Sequence, residues 1–176
     1  MALHAELDAL LDGGVHEEAL HVFLAQHSEI LLRWCGCDGD RVDFRSKIDL
    51  HAVVPDFAVG VFRQTTSRWQ WTLIEIERPD HLLFSRSGDP TRELNHAIRQ
   101  VTDWRAWLQN NIAYARTLLP DITPTCDVCV IIGRRNGVPL SAQDRLEMLQ
   151  IQSPGLRIGT FDSVLDVCRR IDEENK

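Results

Sequence analysis

Lysine is nearly missing from this sequence: Lys47 and Lys176 stand against seventeen arginines in 176 residues. Arginine suits bidentate contacts with carboxylate or phosphate, whereas lysine is the cation more easily desolvated at a reactive centre. A chemistry that depends on lysine therefore has almost nowhere to be placed. Long apolar runs are missing too, and nothing approaches the roughly 18 unbroken apolar residues of a membrane span. The opening Met1-Ala2-Leu3-His4-Ala5-Glu6 has no basic region ahead of an apolar run, so no secretory leader is expected. Five cysteines, an odd number with no export signal, read as reduced thiols in a cytoplasm rather than a disulfide framework. There is no glycine-rich phosphate loop, no Ser–His–Asp order, no nucleophilic-cysteine motif and no internal repeat.

What is present is ordinary for a globular protein. Hydrophobic residues make up 44% and charged residues 26%, neither of them a disordered composition. The length fits one domain over residues 1–176, with an acidic helical segment at 1–40 and a core at 41–176. The formal net charge of −7 argues against a nucleic-acid partner only until its distribution is considered. Residues 1–40 hold eight acids and a single base, Arg33, whereas residues 41–176 hold 18 of each and are neutral.

Hydrophobic periodicity divides the chain into elements. Leu3, Leu7, Leu10 and Leu11 predict a short helix ending at Gly13-Gly14, and a second helix is expected from about Val15 to Leu32. Turn residues from Cys35 to Asp40 precede three expected strands at Ile48–Val54, Phe57–Phe62 and Trp69–Glu77, with a hairpin tip at Gln64–Arg68. Residues 79–91 read as a surface loop. A long helix follows from Thr91 to Leu119, its apolar stripe formed by Leu94, Ile98, Val101, Leu108, Ile112 and Ala115. Val128–Ile132 reads as a buried strand closed by a tight Arg134-Arg135-Asn136-Gly137 turn. Ser141-Ala142-Gln143-Asp144 resembles a capping box opening a helix to Gln150. A last strand near Leu156–Phe161 leads into a helix capped by Asp162. The order predicts an α/β or α+β sandwich with a mixed sheet. Cys35/Cys37 and Cys126/Cys129 have zinc-like spacing, but positions three apart on a strand point to opposite faces, which disfavours a shared metal.

The informative segments are Pro55-Asp56-Phe57 and Glu75-Ile76-Glu77-Arg78-Pro79. Glu75 and Glu77 are two apart on one strand and project from the same face, and Asp56 joins them if it lies across the hairpin. Like charges that converge repel and resist burial, yet they suit a hard divalent cation, which takes oxygen ligands. The competing reading is a pair of glutamates on the solvent face of an amphipathic strand. Residues 69–74 do not alternate cleanly, however, so both faces look covered. On the long helix Arg92, His96, Arg99 and Asp103 lie opposite the apolar stripe with Gln100 on its border, which is either a solvated face or one that reaches the strand ends. Trp34, Trp69, Trp71, Trp104 and Trp107 are candidates for base stacking, although Trp71, Trp104 and Trp107 are better core fillers.

Asp56 followed after a hairpin by Glu75-Ile76-Glu77 resembles the PD-(D/E)xK nuclease signature. More specifically, residues 15–170 resemble the nuclease domain of the Shedu anti-phage defence proteins. The matching pieces, in order, are Glu18–Leu24, Pro55–Phe57, Leu73–Pro79, Ala97–Trp104, Val130–Arg134 and Thr160–Leu165. The resemblance implies a restriction-endonuclease-like core and Mg²⁺- or Mn²⁺-dependent cleavage of nucleic acid, DNA in the first instance, by a protein that is not in a membrane. It implies Asp56 and Glu75 as metal carboxylates, Glu18 as an acid contributed by the first helix, and Gln100 as a glutamine on the helix after the motif. Arg78, His96 and Arg99 are the expected nucleic-acid contacts. The sequence leaves oligomeric state open, a homo-oligomer being one option.

One position departs from the pattern. Where the signature ends in lysine this chain has Glu77, which reverses the charge beside the attacking water and the scissile phosphate. Either Glu77 works as a third ligand or general base, or the chain has lost catalysis and keeps the fold to bind nucleic acid or a partner protein. Lys47 and Arg78 are the nearest cations, and neither is an obvious replacement.

Overall fold

The structure, a computed structural model, describes residues 2–14, 17–37, 41–138 and 140–176. A five-stranded mixed sheet runs in the order β1 (Val42–Ser46), β2 (Phe57–Arg63), β3 (Arg68–Ile76), β4 (Asp127–Ile131) and β5 (Leu156–Gly159). The first three strands form an antiparallel meander, and β3, β4 and β5 are parallel. Parallel neighbours require crossovers. The helix α4 (Arg92–Leu118) joins β3 to β4, and α5 (Leu140–Gln152) joins β4 to β5.

Both sheet faces are covered, and the two-residue period decides what each strand contributes. Phe57, Val59, Ile74, Ile76, Cys129 and Ile131 pack with α1 (Leu3–Asp12), α2 (Glu17–Gln26), α3 (Ser28–Trp34) and α6 (Phe161–Glu174). Ala58, Trp71, Leu73, Val128, Val130 and Ile158 pack with α4 and α5. The result is a mixed α/β sandwich of a five-stranded sheet and six helices, consistent with a restriction-endonuclease-like core. Cys126 and Cys129 fall in opposite cores. Trp71 and Trp104 are buried, and the Trp71 indole donates to the Pro120 carbonyl at 2.6 Å. Among the described residues no helix is long and apolar enough to cross a membrane.

The elements differ from the periodicity in several places. The expected strand Ile48–Val54 is a loop, and the edge strand lies earlier, at Val42–Ser46. Lys47 (φ 45°) and His51 (φ 78°) sit in the left-handed region, which an extended run does not tolerate, and Leu50 is instead tucked into the α4 core. The single long N-terminal helix is two, because His27 (φ −120°, ψ 59°) leaves the helical region. Its expected start at Val15, like the end of the Cys35–Asp40 turn, lies outside the described residues, as does the Ser141 capping interaction.

Arg135–Gly137 form a 3-10 turn rather than a hairpin-type Asn-Gly turn. Asp162 lies inside the first turn of α6 with Thr160 as the flanking residue. Its carboxylate is taken by the Arg135 amide (2.5 Å) and the Arg134 guanidinium (3.1 Å). The long helix begins where expected, the Thr91 hydroxyl accepting the Leu94 amide at 3.2 Å, and is kinked at Asn111.

Candidate active site

Asp56 opens β2 and is fixed at both of its polar ends. Its carbonyl accepts the Lys47 amide at 2.8 Å and faces His21 Nε2 at 3.3 Å. His21 is itself buried and stacked on Phe57 with ring centroids 4.6 Å apart. The Asp56 carboxylate accepts the Ile76 amide at 3.0 Å, the free N–H at the end of β3. Burial raises the Asp56 carboxyl above its ordinary value, against the opposing pull of the Ile76 N–H, His21 and Lys47.

Glu75 is where the strand period places a charge in the core. It follows Trp71 and Leu73 on the α4 face and pairs in register with Val130. On α4, Gln100 donates its side-chain amide to Glu75 Oε1. The other oxygen, Oε2, is buried with no hydrogen-bond partner, a state that costs roughly 1–3 kcal/mol or more for a charged group. Burial, then the negative charges of Asp56 and Glu77, push the Glu75 carboxyl up to about 9. After burial, Asp56 is the neighbour that does most to hold the proton on Glu75.

Glu77 stands beyond the last residue of β3, its amide donating to the Ile131 carbonyl at 2.8 Å. Its side chain is 15% exposed, with Oε2 at 3.6 Å from His81 Nδ1. Burial first, and Glu17 next, raise its carboxyl. Glu17 is likewise raised, by burial and by the charge of Asp56. Glu18, the helix acid implied by the resemblance, faces outward instead, its carboxylate 3.0 Å from the Lys47 ammonium. The three motif carboxylates thus form an Asp56–Glu75 pair with Glu77 beside it, turned toward His81. Among the described residues no three His, Cys, Asp or Glu side chains stand together as a ready metal cage. Mg²⁺ does not need one, because it keeps several waters and is held by one or two carboxylates. The orphaned Glu75 oxygen and the hard oxygen donors of the pair fit such a cation.

Beside Gln100 runs a groove of about 680 Å³ between the 52–54 loop and α4, lined by His96, Arg99, Gln100, Asp103 and Trp104. Arg92 and Arg99 make no ion pair among the described residues, whereas Arg134, Arg135, Arg145 and Arg169 are all matched to carboxylates. Arg78 is held by Asp80, with Nε–Oδ1 at 2.9 Å.

Sequence reasoning passed over three residues. Glu17 was legible: Glu17, Leu20, His21 and Leu24 form one helical stripe whose last three members are buried, while Glu18 shares its face with the exposed Val22. His21 lies on that stripe and could have been read the same way. His81 had no local signal, because the irregular chain after Pro79 carries it back to Glu77.

No curated protein matches the chain. Residues 14–165 match the family model described as Shedu protein SduA, C-terminal. That span takes in α2, the whole sheet and the carboxylate site, and the chain belongs to this Shedu SduA C-terminal family.

Proposed function

We propose that the chain is a Mg²⁺-dependent nuclease of the Shedu defence type that hydrolyses phosphodiester bonds, most readily in DNA. The observation that carries this reading is Glu75, a carboxylate forced into the core with one oxygen unpartnered and its proton held to about 9. Such a group weakens the fold and is expected where a cation is to be received. A bound Mg²⁺ (or Mn²⁺) lowers the pKa of a water and offsets the charge that develops on phosphate.

In this reading Asp56 and Glu75 hold the cation, Asp56 being immobilised by the Ile76 and Lys47 amides and Glu75 by Gln100. Glu77, its carboxyl raised by burial and by Glu17, takes the proton of the attacking water as general base. Arg99 and His96 hold the phosphates in the groove, because a guanidinium group without a carboxylate partner is free to pair with phosphate. Arg78 joins them only by releasing Asp80. Glu18 serves at the rim by holding Lys47 rather than as a ligand.

Calorimetric titration with Mg²⁺ and Mn²⁺ tests the metal site. Binding is expected in the wild type and is expected to vanish in Asp56→Asn and Glu75→Gln. Absence of binding, with Asp56→Ala and Glu75→Ala behaving like the wild type on every nucleic acid tried, would end the reading. The charge reversal at Glu77 favours a second one, a nuclease fold kept for binding nucleic acid or a partner protein. Cleavage assays separate the two: loss in Glu77→Ala marks a working carboxylate site, and gain in Glu77→Lys marks a decayed one.

A further inference from the structure

We propose that His81 is the positioning residue for Glu77, its Nδ1–H donating to Glu77 Oε2 so that the other carboxylate oxygen is aimed at the attacking water. The role rests on the nuclease reading above, whereas the contact itself does not.

His81 Nδ1 is buried with no hydrogen-bond partner, and Glu77 Oε2 lies 3.6 Å away. Buried polar atoms are seldom left unpaired, and catalytic hydrogen bonds are commonly long before substrate arrives. A small side-chain rotation closes this one.

The backbone brings both partners to the same short stretch of chain. Glu77 donates its amide to the Ile131 carbonyl at 2.8 Å. Two residues on, Gly133 (φ 63°) donates to the Arg78 carbonyl, which also receives the His81 amide at 3.3 Å. A Cβ on Gly133 would stand 2.2 Å from the His81 carbonyl oxygen, so the loop is seated directly on this glycine. His81 is thus clamped where it meets Glu77.

A general base needs a third group to orient it. Glutamate, with three rotatable bonds, needs one more than most, and Glu77 also feels repulsion from Glu17 and Asp56. A donor on the far side of its carboxylate counters that repulsion. Asparagine places an amide N–H near the position of Nδ1, whereas glutamine reaches the position of Nε2.

The experiment compares wild type, His81→Asn, His81→Gln and His81→Ala in Mn²⁺-dependent cleavage, alongside Mn²⁺ calorimetry and ¹⁵N-edited imidazole spectra of the metal-free protein. Expected are near-wild-type kcat for His81→Asn and a loss of about tenfold to hundredfold in kcat, with KM unchanged, for His81→Gln and His81→Ala. Mn²⁺ affinity should be unchanged in all of them. The neutral His81 ring, assigned by its loss in His81→Asn, should carry its proton on Nδ1 and shift to the Nε2–H tautomer in Glu77→Ala. Equal kcat for His81→Asn and His81→Gln, or an Nε2–H ring indifferent to Glu77→Ala, overturns the proposal. A wild type that neither binds Mn²⁺ nor cuts overturns the nuclease reading and the role with it, and the spectra then decide the contact separately.

Discussion

Replacing Glu75 by Gln should make the metal-free protein more stable, and increasingly so as pH rises. The Glu75 carboxyl lies at about 9 in the folded chain against an ordinary 4.5, so between those values the folded state holds a proton that the unfolded state has released. Stability then falls with pH, because the unfolded state binds fewer protons. The contribution is complete below the ordinary value and is lost as pH climbs through about 9. One proton corresponds to about 1.4 kcal/mol per pH unit, hence roughly 3 kcal/mol between about pH 6 and about pH 8, a sizeable part of the 5–15 kcal/mol typical of a domain. Asp56, Glu77 and Glu17 are displaced in the same direction and add to the slope. Glutamine keeps an oxygen for the Gln100 amide and cannot ionise, so the variant loses the slope of one proton. Urea unfolding followed by tryptophan fluorescence in a chelating buffer reads this directly. The wild-type curve should fall more steeply with pH than that of Glu75→Gln, and Mg²⁺ should flatten it by displacing the proton. Parallel curves for the two proteins would refute the buried-proton account of the site.

Three further outcomes follow from the geometry. Arg99→Ala should weaken DNA binding by the same factor on different sequences and lower the slope of log K against log salt by about one, the signature of a lost phosphate contact; fluorescence anisotropy across a salt series measures it. Gly133→Ala has to leave the left-handed region or push back the His81 carbonyl, so a loss of roughly 2–4 kcal/mol is expected from combined backbone strain and overpacking, read by denaturation. Asp172 accepts the Leu3 amide at 2.8 Å and the His4 amide at 2.9 Å, tying α6 to the start of α1. Asp172→Ala should therefore cost about 1 kcal/mol and speed amide exchange selectively in α1.

The sheet and the long helix were legible because they obey a period. Phe57–Arg63 and Arg68–Ile76 carry apolar residues on both faces, and α4 carries one stripe from Leu94 to Ala115 between a threonine cap and Pro120. The edge strand was not legible. Val42–Ser46 is half polar, with Asp43 and Arg45 paired side by side at 2.8 Å, and the more hydrophobic 48–54 segment drew the assignment although left-handed residues just before it (Lys47) and within it (His51) prevent it from extending. At the site, Asp56, Glu75 and Gln100 could be named from motif and helix border alone. Their partners could not, because backbone amides from Ile76 and Lys47, and a histidine returned by a loop, are set by tertiary register and leave no mark on local spacing.

The charge at position 77 is the point on which the proposed catalysis turns. A lysine there would sit among Asp56, Glu75 and Glu17 as their counter-ion, and Glu77 makes the same neighbourhood two charges more negative. The chain answers with what it has. Lys47 is exposed and pairs with Glu18 on the rim, and His81 Nδ1 lies 3.6 Å from Glu77 Oε2. In the proposed reading, a divalent cation bound in this acidic pocket would supply the positive field that a lysine would otherwise supply. On the proposed reading Glu77 would leave charge stabilisation to the metal and use its own carboxylate for the water proton, which is why Glu77→Lys and Glu77→Ala are expected to part in activity rather than fail together.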